Sequence, residues 1–197
     1  AYDRYIEKLH AGNTAWSVWD DTYEFIKNRD PKYIEDNIGD GIYTKPNLDA
    51  IIMLNLSGEI FYGESYDRQK NKRVPLSQSL KEYIKANPSI LEHSESNNCR
   101  GGLILLPENP IIFSSCPILT TQMEGPSRGT MIVGHYLDRE TIKEFCQTTR
   151  FPLNFYRLDR LPEKSNHYLS KIVKKLDRQS SIWIQPQNNN LISVYKI

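Results

Sequence analysis

LDAIIMLNLSGEIFYG, residues 48–63, is the stretch that decides the fold of this chain. A continuous apolar run of strand length, Leu48 to Leu54, is followed by the turn signal Asn55-Leu56-Ser57-Gly58. A second, mostly apolar run then returns over residues 59–63. Because Asn, Ser and Gly favour tight turns, the stretch predicts a β-hairpin.

More hairpins are predicted along the chain, with helices between groups of strands. Residues 64–75 are polar and basic without periodicity, and they are predicted to form a loop. Hairpins joined by helices give a mainly antiparallel sheet, so the predicted class is α+β, as one domain over residues 1–197. The further strands are expected over residues 103–106, 111–119, 129–137 and 153–158, and a closing hairpin pairs residues 181–184 with 191–194.

Residues 1–28 are predicted to form one long N-terminal helix, followed by the α+β body over residues 29–197. The seam of this helix has alternating spacings of four and three residues, which is a heptad pattern. It comprises Tyr2, Ile6, Leu9, Asn13, Trp16, Asp20 and Tyr23. The seam either packs on the helix's own domain or pairs with a second copy of the chain. Shorter helices are expected after Asp30, Ser77, Asp138 and Pro162.

The composition excludes several classes of protein. The chain has 197 residues and a formal net charge of +1 at pH 7, without the basic balance of a nucleic-acid-binding domain. No apolar run approaches the roughly 20 residues that span a bilayer, and no signal peptide is present. The chain starts within a predicted helix and stops within a predicted strand, so both ends look cut and leave room for membrane segments on either side.

No catalytic constellation is visible in the sequence. The histidines His10, His93, His135 and His167 are scattered and form no HxxxH or HxH pair, so neither a metal site nor a cofactor is predicted. The GxSxG motif of serine hydrolases is missing as well. A hydrolase therefore ranks last among the functions considered, and the chain is not expected to be an enzyme.

The cysteines Cys99, Cys116 and Cys146 form no CxxC pair. Cys146 is expected to be a small buried hydrophobic residue on a helix. Cys99 and Cys116 flank the hairpin that turns near residues 107–110, where register counting places them almost opposite each other. They either form a disulfide in an oxidising compartment or remain two half-buried thiols.

Two parts of the sequence resemble motifs of a known family. The first is NTAWSVWDDTYEF, residues 13–25, which combines Trp, paired acids and Tyr. The second comprises SSCPI, residues 114–118, and EGPSRGTMIVGHYLD, residues 124–138. In this order, with the Ser57-Gly58 hairpin between them, they resemble the fourth CHASE family, the sensory extracellular domains attached to histidine kinases and cyclases. The resemblance covers residues 10–145 with gaps.

This resemblance implies a PAS-like extracellular sensor held between two membrane helices, as the input domain of a sensor histidine kinase in a two-component system. It implies an unknown small-molecule ligand and a cytoplasmic signalling module as partners, and the heptad seam adds a homodimer through the N-terminal helix. The alternative is an extracellular binding or adhesion module without signalling. Two positions depart from the family: Asn55, where Asp is common, and His135, where Arg is common.

One group of candidate ligand-binding residues lies on the N-terminal helix. It is an aromatic stripe with a carboxylate, and it forms either core or the wall of a pocket. A buried carboxylate needs partners, which Arg128 or the backbone of the Gly125-Pro126 turn is expected to supply. Asp20 then either contacts a ligand or latches the helix to the loop, or it is a structural clamp that ties the long helix to the sheet. The members of the stripe are Trp16, Trp19, Asp20 and Tyr23.

Polar residues of the predicted sheet complete the candidate site: Tyr62, Ser114, Ser115 and His135. Small hydroxyl groups on a concave sheet face offer room and hydrogen bonds to a small molecule. The alternative is solvent exposure of these side chains, because successive residues of a strand point to opposite faces.

Overall fold

The computed structural model describes residues 2–44, 47–93, 99–150, 155, 182–187 and 190–195. The chain divides into two compact units, Ala1–Phe151 and Pro152–Ile197, which we call the N-terminal and the C-terminal unit. The prediction of a single domain over residues 1–197 stays a prediction.

A six-stranded sheet organises the N-terminal unit. Its strands are β1 Ala50–Asn55, β2 Ile60–Asp67, β3 Lys72–Pro75, β4 Arg100–Leu105, β5 Pro110–Pro117 and β6 Gly129–Tyr136. They lie in the order β3-β2-β1-β6-β5-β4, and every neighbouring pair is antiparallel. The predicted α+β class and the hairpin of residues 48–63 are confirmed.

The helices begin where the capping residues predict. Asp30, Ser77 and Asp138 each accept a hydrogen bond from a backbone amide of the first turn, which satisfies a donor that the helix itself leaves unpaired. The helices are α1 Tyr2–Ser17, α2 Asp20–Asn28, α3 Pro31–Asn37, α4 Gly41–Thr44, α5 Gln78–Ala86 and α6 Arg139–Thr149, with a 3-10 helix over Pro88–Leu91.

The prediction of one continuous helix over residues 1–28 is wrong, because the chain leaves the helix between α1 and α2. The Leu119 amide donates to the Ser17 carbonyl at 2.9 Å, and Val18 forms a parallel β-bridge with Leu119. Trp19 is extended, with φ −149°. The helix is interrupted by this contact with a distant part of the chain, and no Gly or Pro at residues 17–20 indicates the break in the sequence.

Residues 64–75 are not the predicted loop. β2 continues to Asp67 and β3 pairs with it from Lys72 onward, so only the turn between these strands is irregular. Asn71 has φ 49° in that turn, a left-handed conformation that Asn tolerates. β3 is an edge strand with mostly exposed side chains, and such a strand lacks the apolar alternation by which strands are recognised.

The sheet is covered on both faces. Residues directly opposite in antiparallel strands point to the same face, so the register partners Met53, Met131 and Cys116 share one face. We call it the α1 face, because α1 packs there on β5 and β6. On the opposite face the strands and α5 together form a hydrophobic core: Ala50, Ile52, Leu54, Leu76, Leu80, Ile84, Ile104, Leu106, Ile111, Phe113 and Ile132.

In the C-terminal unit the structure describes an antiparallel hairpin of β7 Ile182–Gln187 and β8 Asn190–Tyr195, which confirms the predicted closing hairpin. The strand predicted over residues 153–158 lies outside the described residues except for Phe155, and the helix predicted after Pro162 lies wholly outside them. Within the described parts of both units, no helix combines the length and the apolar character needed to cross a bilayer.

Candidate ligand site between helix α1 and the sheet

A polar layer separates α1 from the sheet. Its members come from one side of α1 and from β5 and β6, and most of them are buried. We call them the α1 seam: Tyr5, His10, Asn13, Ser17, Ser114 and His135. A helix usually meets a sheet through apolar side chains, so this polar layer requires a specific explanation.

Asn13 lies at the centre of the α1 seam and is 1% exposed. Its Nδ2 donates to the Ser114 carbonyl at 3.0 Å, to Ser114 Oγ at 3.2 Å and to the Met131 carbonyl at 2.9 Å. Since these acceptors belong to β5 and β6, a single amide group ties α1 to both strands.

His10 lies almost one helical turn before Asn13. Its Nδ1 is hydrogen-bonded to Ser114 Oγ at 2.8 Å. Burial lowers the pKa of His10 below its usual value, so the imidazole is neutral at pH 7. A Cβ at Gly101 of β4 would lie 2.7 Å from His10 Cε1, so glycine is what allows this strand to approach the ring.

Two buried polar atoms of the α1 seam, Asn13 Oδ1 and Ser17 Oγ, have no hydrogen-bond partner among the described residues. An unpaired buried polar atom costs about 1–3 kcal/mol, so most such atoms in proteins are paired with protein, water or ligand. Ser17 is 0% exposed and also lines a cavity.

The cavity opens beside the C-terminal half of α1 and has a volume of about 410 Å³. This volume falls within the range of about 300–1,000 Å³ that is typical of small-molecule sites. We call it the disulfide cavity. Its described lining residues provide hydroxyl groups, an imidazole and apolar groups, and none of them carries a carboxylate, ammonium or guanidinium group: His10, Thr14, Ser17, Val18, Cys99, Cys116, Pro117 and Met123.

Cys99 and Cys116 form a disulfide in the wall of this cavity. Of the two arrangements that the sequence leaves open, the bridge is the one observed. Thr14 Oγ1 donates a hydrogen bond to Cys99 Sγ at 3.3 Å, so α1 contacts the bridge directly. The third cysteine, Cys146 on α6, is half-buried and therefore less enclosed than predicted.

His135 connects the other end of α1 to a buried polar network. The Tyr5 hydroxyl donates to Nδ1 of His135, and Nε2 lies 3.0 Å from Thr141 Oγ1 and 3.4 Å from Asp49 Oδ2. This pattern assigns the ring proton to Nε2. Asp49 also accepts a hydrogen bond from Arg68 Nε at 2.6 Å. The network therefore joins α1 and α6 to the hairpin of β1 and β2.

Burial has opposite effects on the two buried titratable members of this network. It raises the pKa of Asp49 to about 6, against the lowering effects of the Tyr136 amide and Arg68. It lowers the pKa of His135 to about 4, against the raising effect of Asp138. At pH 7 Asp49 is thus ionised and paired with Arg68, while His135 is neutral and has no charge to offer an anion.

Asp20 contacts the loop after β5, but through a different residue from those predicted. Its Oδ1 accepts a hydrogen bond from the Thr121 amide at 2.9 Å, and its own amide donates to Thr121 Oγ1 at 3.3 Å. The expected partners were Arg128 and the Gly125-Pro126 backbone. Because Asp20 follows the helix break, its side chain is exposed and turned toward Thr121 instead.

Tyr23, and not Asp20, contacts Arg128 and the Gly125-Pro126 turn. Its hydroxyl donates to the Pro126 carbonyl at 3.0 Å, and the Arg128 guanidinium carbon lies 3.8 Å from the centre of its ring. Arg128 Nη1 also donates to the Tyr23 carbonyl at 3.0 Å and to Glu24 Oε1 at 2.7 Å. The Trp16 and Trp19 rings meet edge to face, with their centres 5.9 Å apart. These four predicted residues, Trp16, Trp19, Tyr23 and Arg128, gather with Asp20 at the helix break.

The candidates Tyr62 and Ser115 lie elsewhere. Tyr62 donates its hydroxyl proton to Glu64 Oε2 at 2.8 Å and lies 3.5 Å from the hydroxyl of Tyr43. Ser115 Oγ donates to the Ile90 carbonyl at 2.7 Å, on the face opposite to α1. Of the predicted residues, only Ser114 and His135 belong to the α1 seam.

Sequence reasoning did not identify Tyr5, His10, Ser17 or Asp49 as candidate site residues. The sequence did draw attention to Asn13, because it is a polar residue in the mostly apolar heptad pattern of the N-terminal helix. The contacts of the others depend on how α1 is aligned with strands that lie far away in the sequence, and residue spacing does not reveal that alignment.

A family model described as the CHASE4 domain matches residues 1–156. The methanogenesis regulatory histidine kinase FilI of Methanothrix harundinacea is 31% identical over 133 residues. The matched region is 68% of this chain but only 15% of the length of that kinase.

Solved sensor domains share the fold. The domain of a sensory box/GGDEF family protein from Vibrio parahaemolyticus has a TM-score of 0.59 at 12% identity, covering 98% of this chain and 90% of that one. The extracellular domain of a histidine kinase has a TM-score of 0.56 at 14% identity, covering 98% and 79%. The periplasmic domain of Vibrio cholerae LuxQ has a TM-score of 0.51 at 10% identity, covering 98% and 90%. These likenesses concern the fold and confirm the predicted PAS-like architecture.

Proposed function

The chain belongs to the CHASE4 domain family, and from this premise we propose that it is the extracytoplasmic sensory input domain of a membrane-bound histidine kinase. As a CHASE4 domain it is a sensor module and not a catalytic domain. The observation that carries the proposal is the disulfide cavity, where the buried Ser17 Oγ has no partner among the described residues.

Two observations support the extracytoplasmic location of the chain and its connection to a histidine kinase. The Cys99–Cys116 disulfide is typical of a compartment that is oxidising, as the extracytoplasmic side of a membrane is. The relative FilI, which matches this chain over 133 residues, is a histidine kinase. We therefore propose that the chain lies on the extracytoplasmic side of the membrane and that a kinase module lies on the cytoplasmic side.

The lining of the disulfide cavity defines the class of ligand. His10 is neutral at pH 7, and Thr14 and Ser17 offer hydroxyl groups. Val18 and Pro117 add apolar surface. An ionic ligand would lose its hydration here without meeting an opposite charge among the described lining residues. The cavity therefore suits a small uncharged molecule that carries hydroxyl or amide groups.

Helix α1 is the element that transmits the signal. It contributes His10, Thr14 and Ser17 to the cavity, and through Asn13 it is tied to β5 and β6. A ligand that prefers one position of α1 over another shifts the population of the two positions by its difference in affinity. The movement of α1 along the sheet is the output of the domain.

We further propose that two copies of the domain pair through the outward side of α1. The heptad seam predicted from the sequence packs inside the domain, because Leu9 and Asn13 are buried against the sheet. It is therefore not available to a second copy of the chain. The outward side carries the small exposed residues Ala11 and Ala15 next to the oppositely charged Glu7 and Lys8. Small side chains permit close approach of two helices, and mixed charges permit complementary pairing.

The proposed ligand site is tested by replacing Ser17 with alanine. We expect the melting temperature of the unliganded protein to stay the same or rise, because Ser17→Ala removes an unpaired buried hydroxyl. In a thermal-shift screen of uncharged sugars, polyols and primary amides, we expect at least one compound to stabilise the wild type. At a concentration of 100 times Kd the gain is about 2.7 kcal/mol. Ser17→Ala is expected to lose this gain.

The control for Ser17→Ala is Ser89→Ala, at an exposed position of the 3-10 helix, which should respond like the wild type. Amino acids and dicarboxylates form the opposing arm of the screen, and stabilisation by these ions alone would contradict the ligand class. Compounds that bind are then added to the full-length protein in membrane vesicles. An unchanged rate of autophosphorylation would contradict the sensory role.

The homodimer is tested by placing a charge on the outward side of α1. Ala15→Glu introduces two like charges into the proposed helix pair, and we expect the dissociation constant from sedimentation equilibrium to rise at least about tenfold, or 1.4 kcal/mol. Ala86→Glu makes the same change at the exposed end of α5 and should leave association unchanged. Equal association of both variants would rule out pairing through α1.

A further inference from the structure

Three soft donor groups converge in the disulfide cavity. His10 comes from α1, Cys99 from the chain just before β4 and Cys116 from β5. One ring nitrogen of His10 and the two sulfur atoms all lie within 4.8 Å of one another. The proposed function uses these residues only as cavity lining, so their convergence calls for an explanation of its own.

In the oxidised protein the two sulfur atoms are bonded to each other. A disulfide sulfur is a poor metal ligand, because the ligating form of cysteine is the thiolate. The observed state is therefore one in which the cluster holds no metal through its sulfur atoms. Reduction would convert the same two atoms into thiol groups next to an imidazole, and binding of a metal ion would convert these thiols into thiolates.

The histidine is prepared for this role. Ser114 Oγ contacts both sides of the cluster, at 2.8 Å from His10 Nδ1 and 3.4 Å from Cys116 Sγ. Hydrogen bonds of this kind fix the orientation of ligands in known metal sites. Gly101 leaves room for the ring to stay in place.

We propose that His10, Cys99 and Cys116 bind one thiophilic metal ion, Cu⁺ or Zn²⁺, when the disulfide between the two cysteines is reduced. Two thiolates and an imidazole are a donor set that these ions prefer over Mg²⁺ or Ca²⁺. The cavity then has two chemical states, an oxidised state open to an uncharged ligand and a reduced state that holds a metal ion. Only the effect of this switch on signalling rests on the proposed function.

The switch requires a reductant, and a dithiol is of the right chemical class. One thiolate of the dithiol attacks Cys99 Sγ, which is the more accessible sulfur because Cys116 is 0% exposed. The Cys99–Cys116 bond breaks and Cys116 leaves as a thiolate. The second thiolate of the dithiol then attacks the mixed disulfide and releases Cys99, so the dithiol is oxidised to a cyclic disulfide. The two protons of the dithiol end on the cysteines and are released when the metal ion binds.

The experiment compares the full chain before and after reduction with dithiothreitol and desalting without oxygen. Zn²⁺ and Cu⁺ are titrated in separate arms in competition with chromogenic chelators. Co²⁺ serves as a spectroscopic probe of thiolate coordination. We expect the reduced protein to bind one equivalent of Zn²⁺ or Cu⁺ and to show a thiolate-to-cobalt charge-transfer band, and we expect the oxidised protein to show neither.

Variants identify the ligands. His10→Gln leaves the disulfide intact and is expected to weaken metal binding of the reduced protein at least about tenfold. Cys146→Ser removes the third thiol and is expected to bind like the wild type. Circular dichroism of oxidised His10→Gln tests whether the variant folds. The doubly substituted Cys99→Ser/Cys116→Ser protein gives the background.

The site is overturned if the reduced wild type binds no more Zn²⁺ or Cu⁺ than the double variant. It is also overturned if His10→Gln binds with wild-type affinity, or if the oxidised protein binds equally well. All these readouts measure metal binding alone. They therefore separate a failure of the metal site from a failure of the sensory role, which the ligand screen and the autophosphorylation assay test.

Discussion

Replacement of Asn13 by aspartate is expected to destabilise the N-terminal unit by about 3–5 kcal/mol near pH 7, the cost of leaving a buried charge without a partner. The amide of Asn13 now donates to the carbonyls of Ser114 and Met131 and to Ser114 Oγ. In Asn13→Asp a carboxylate oxygen would face those carbonyl oxygens. Denaturant unfolding, compared at constant m-value, measures the loss.

Asn37→Asp is a matched control for this prediction. Its Nδ2 donates to the Tyr33 carbonyl at 3.0 Å, but the residue is only half-buried at the end of α3. The same chemical change there should cost less than about 1 kcal/mol, because water solvates the new charge. The loss in Asn13→Asp should shrink as the pH falls, since protonation removes the buried charge. Equal losses at both positions would contradict the role assigned to Asn13.

Helix caps and hairpins were predictable because their causes are local. The caps Asp30, Ser77 and Asp138 each accept a hydrogen bond from a backbone amide two or three residues further along. Such a contact depends only on neighbouring residues, so the local sequence predicts it. The hairpin of residues 48–63 is likewise specified by the turn between its strands. The edge strand β3 escaped prediction because an exposed edge does not need an apolar pattern.

The candidate site was less predictable, because its contacts join residues about 100 positions apart. Ser114 and Ser115 are adjacent, yet one faces α1 and the other faces the 3-10 helix. Only the pairing of β5 with its neighbours decides which hydroxyl reaches the α1 seam. The helix break at Val18 has the same origin, because Val18 forms a β-bridge with the distant Leu119. The sequence therefore predicts the elements better than the face that each residue presents.

The Asp49–His135 pair makes a second large effect measurable as a pH dependence. The pKa of His135 is about 4 in the folded protein and 6.5 without burial, so its contribution to stability falls as the pH drops below 6.5 toward 4. The pKa of Asp49 is about 6 in the folded protein and 3.8 without burial, so its contribution falls as the pH rises from 3.8 toward 6. Between pH 4 and 6 the two slopes have opposite signs and cancel.

Removing one member of this pair is therefore expected to expose the slope of the other. In Asp49→Asn the free energy of unfolding, relative to wild type, should fall by up to about 1.4 kcal/mol per pH unit as the pH drops from 6 to 4. In His135→Gln the difference from wild type should change by a similar amount in the opposite direction. Glu140→Gln, at an exposed position of α6, should run parallel to wild type. Urea unfolding at a series of pH values measures all four proteins, and parallel curves for Asp49→Asn and His135→Gln would show that burial does not separate the two pKa values.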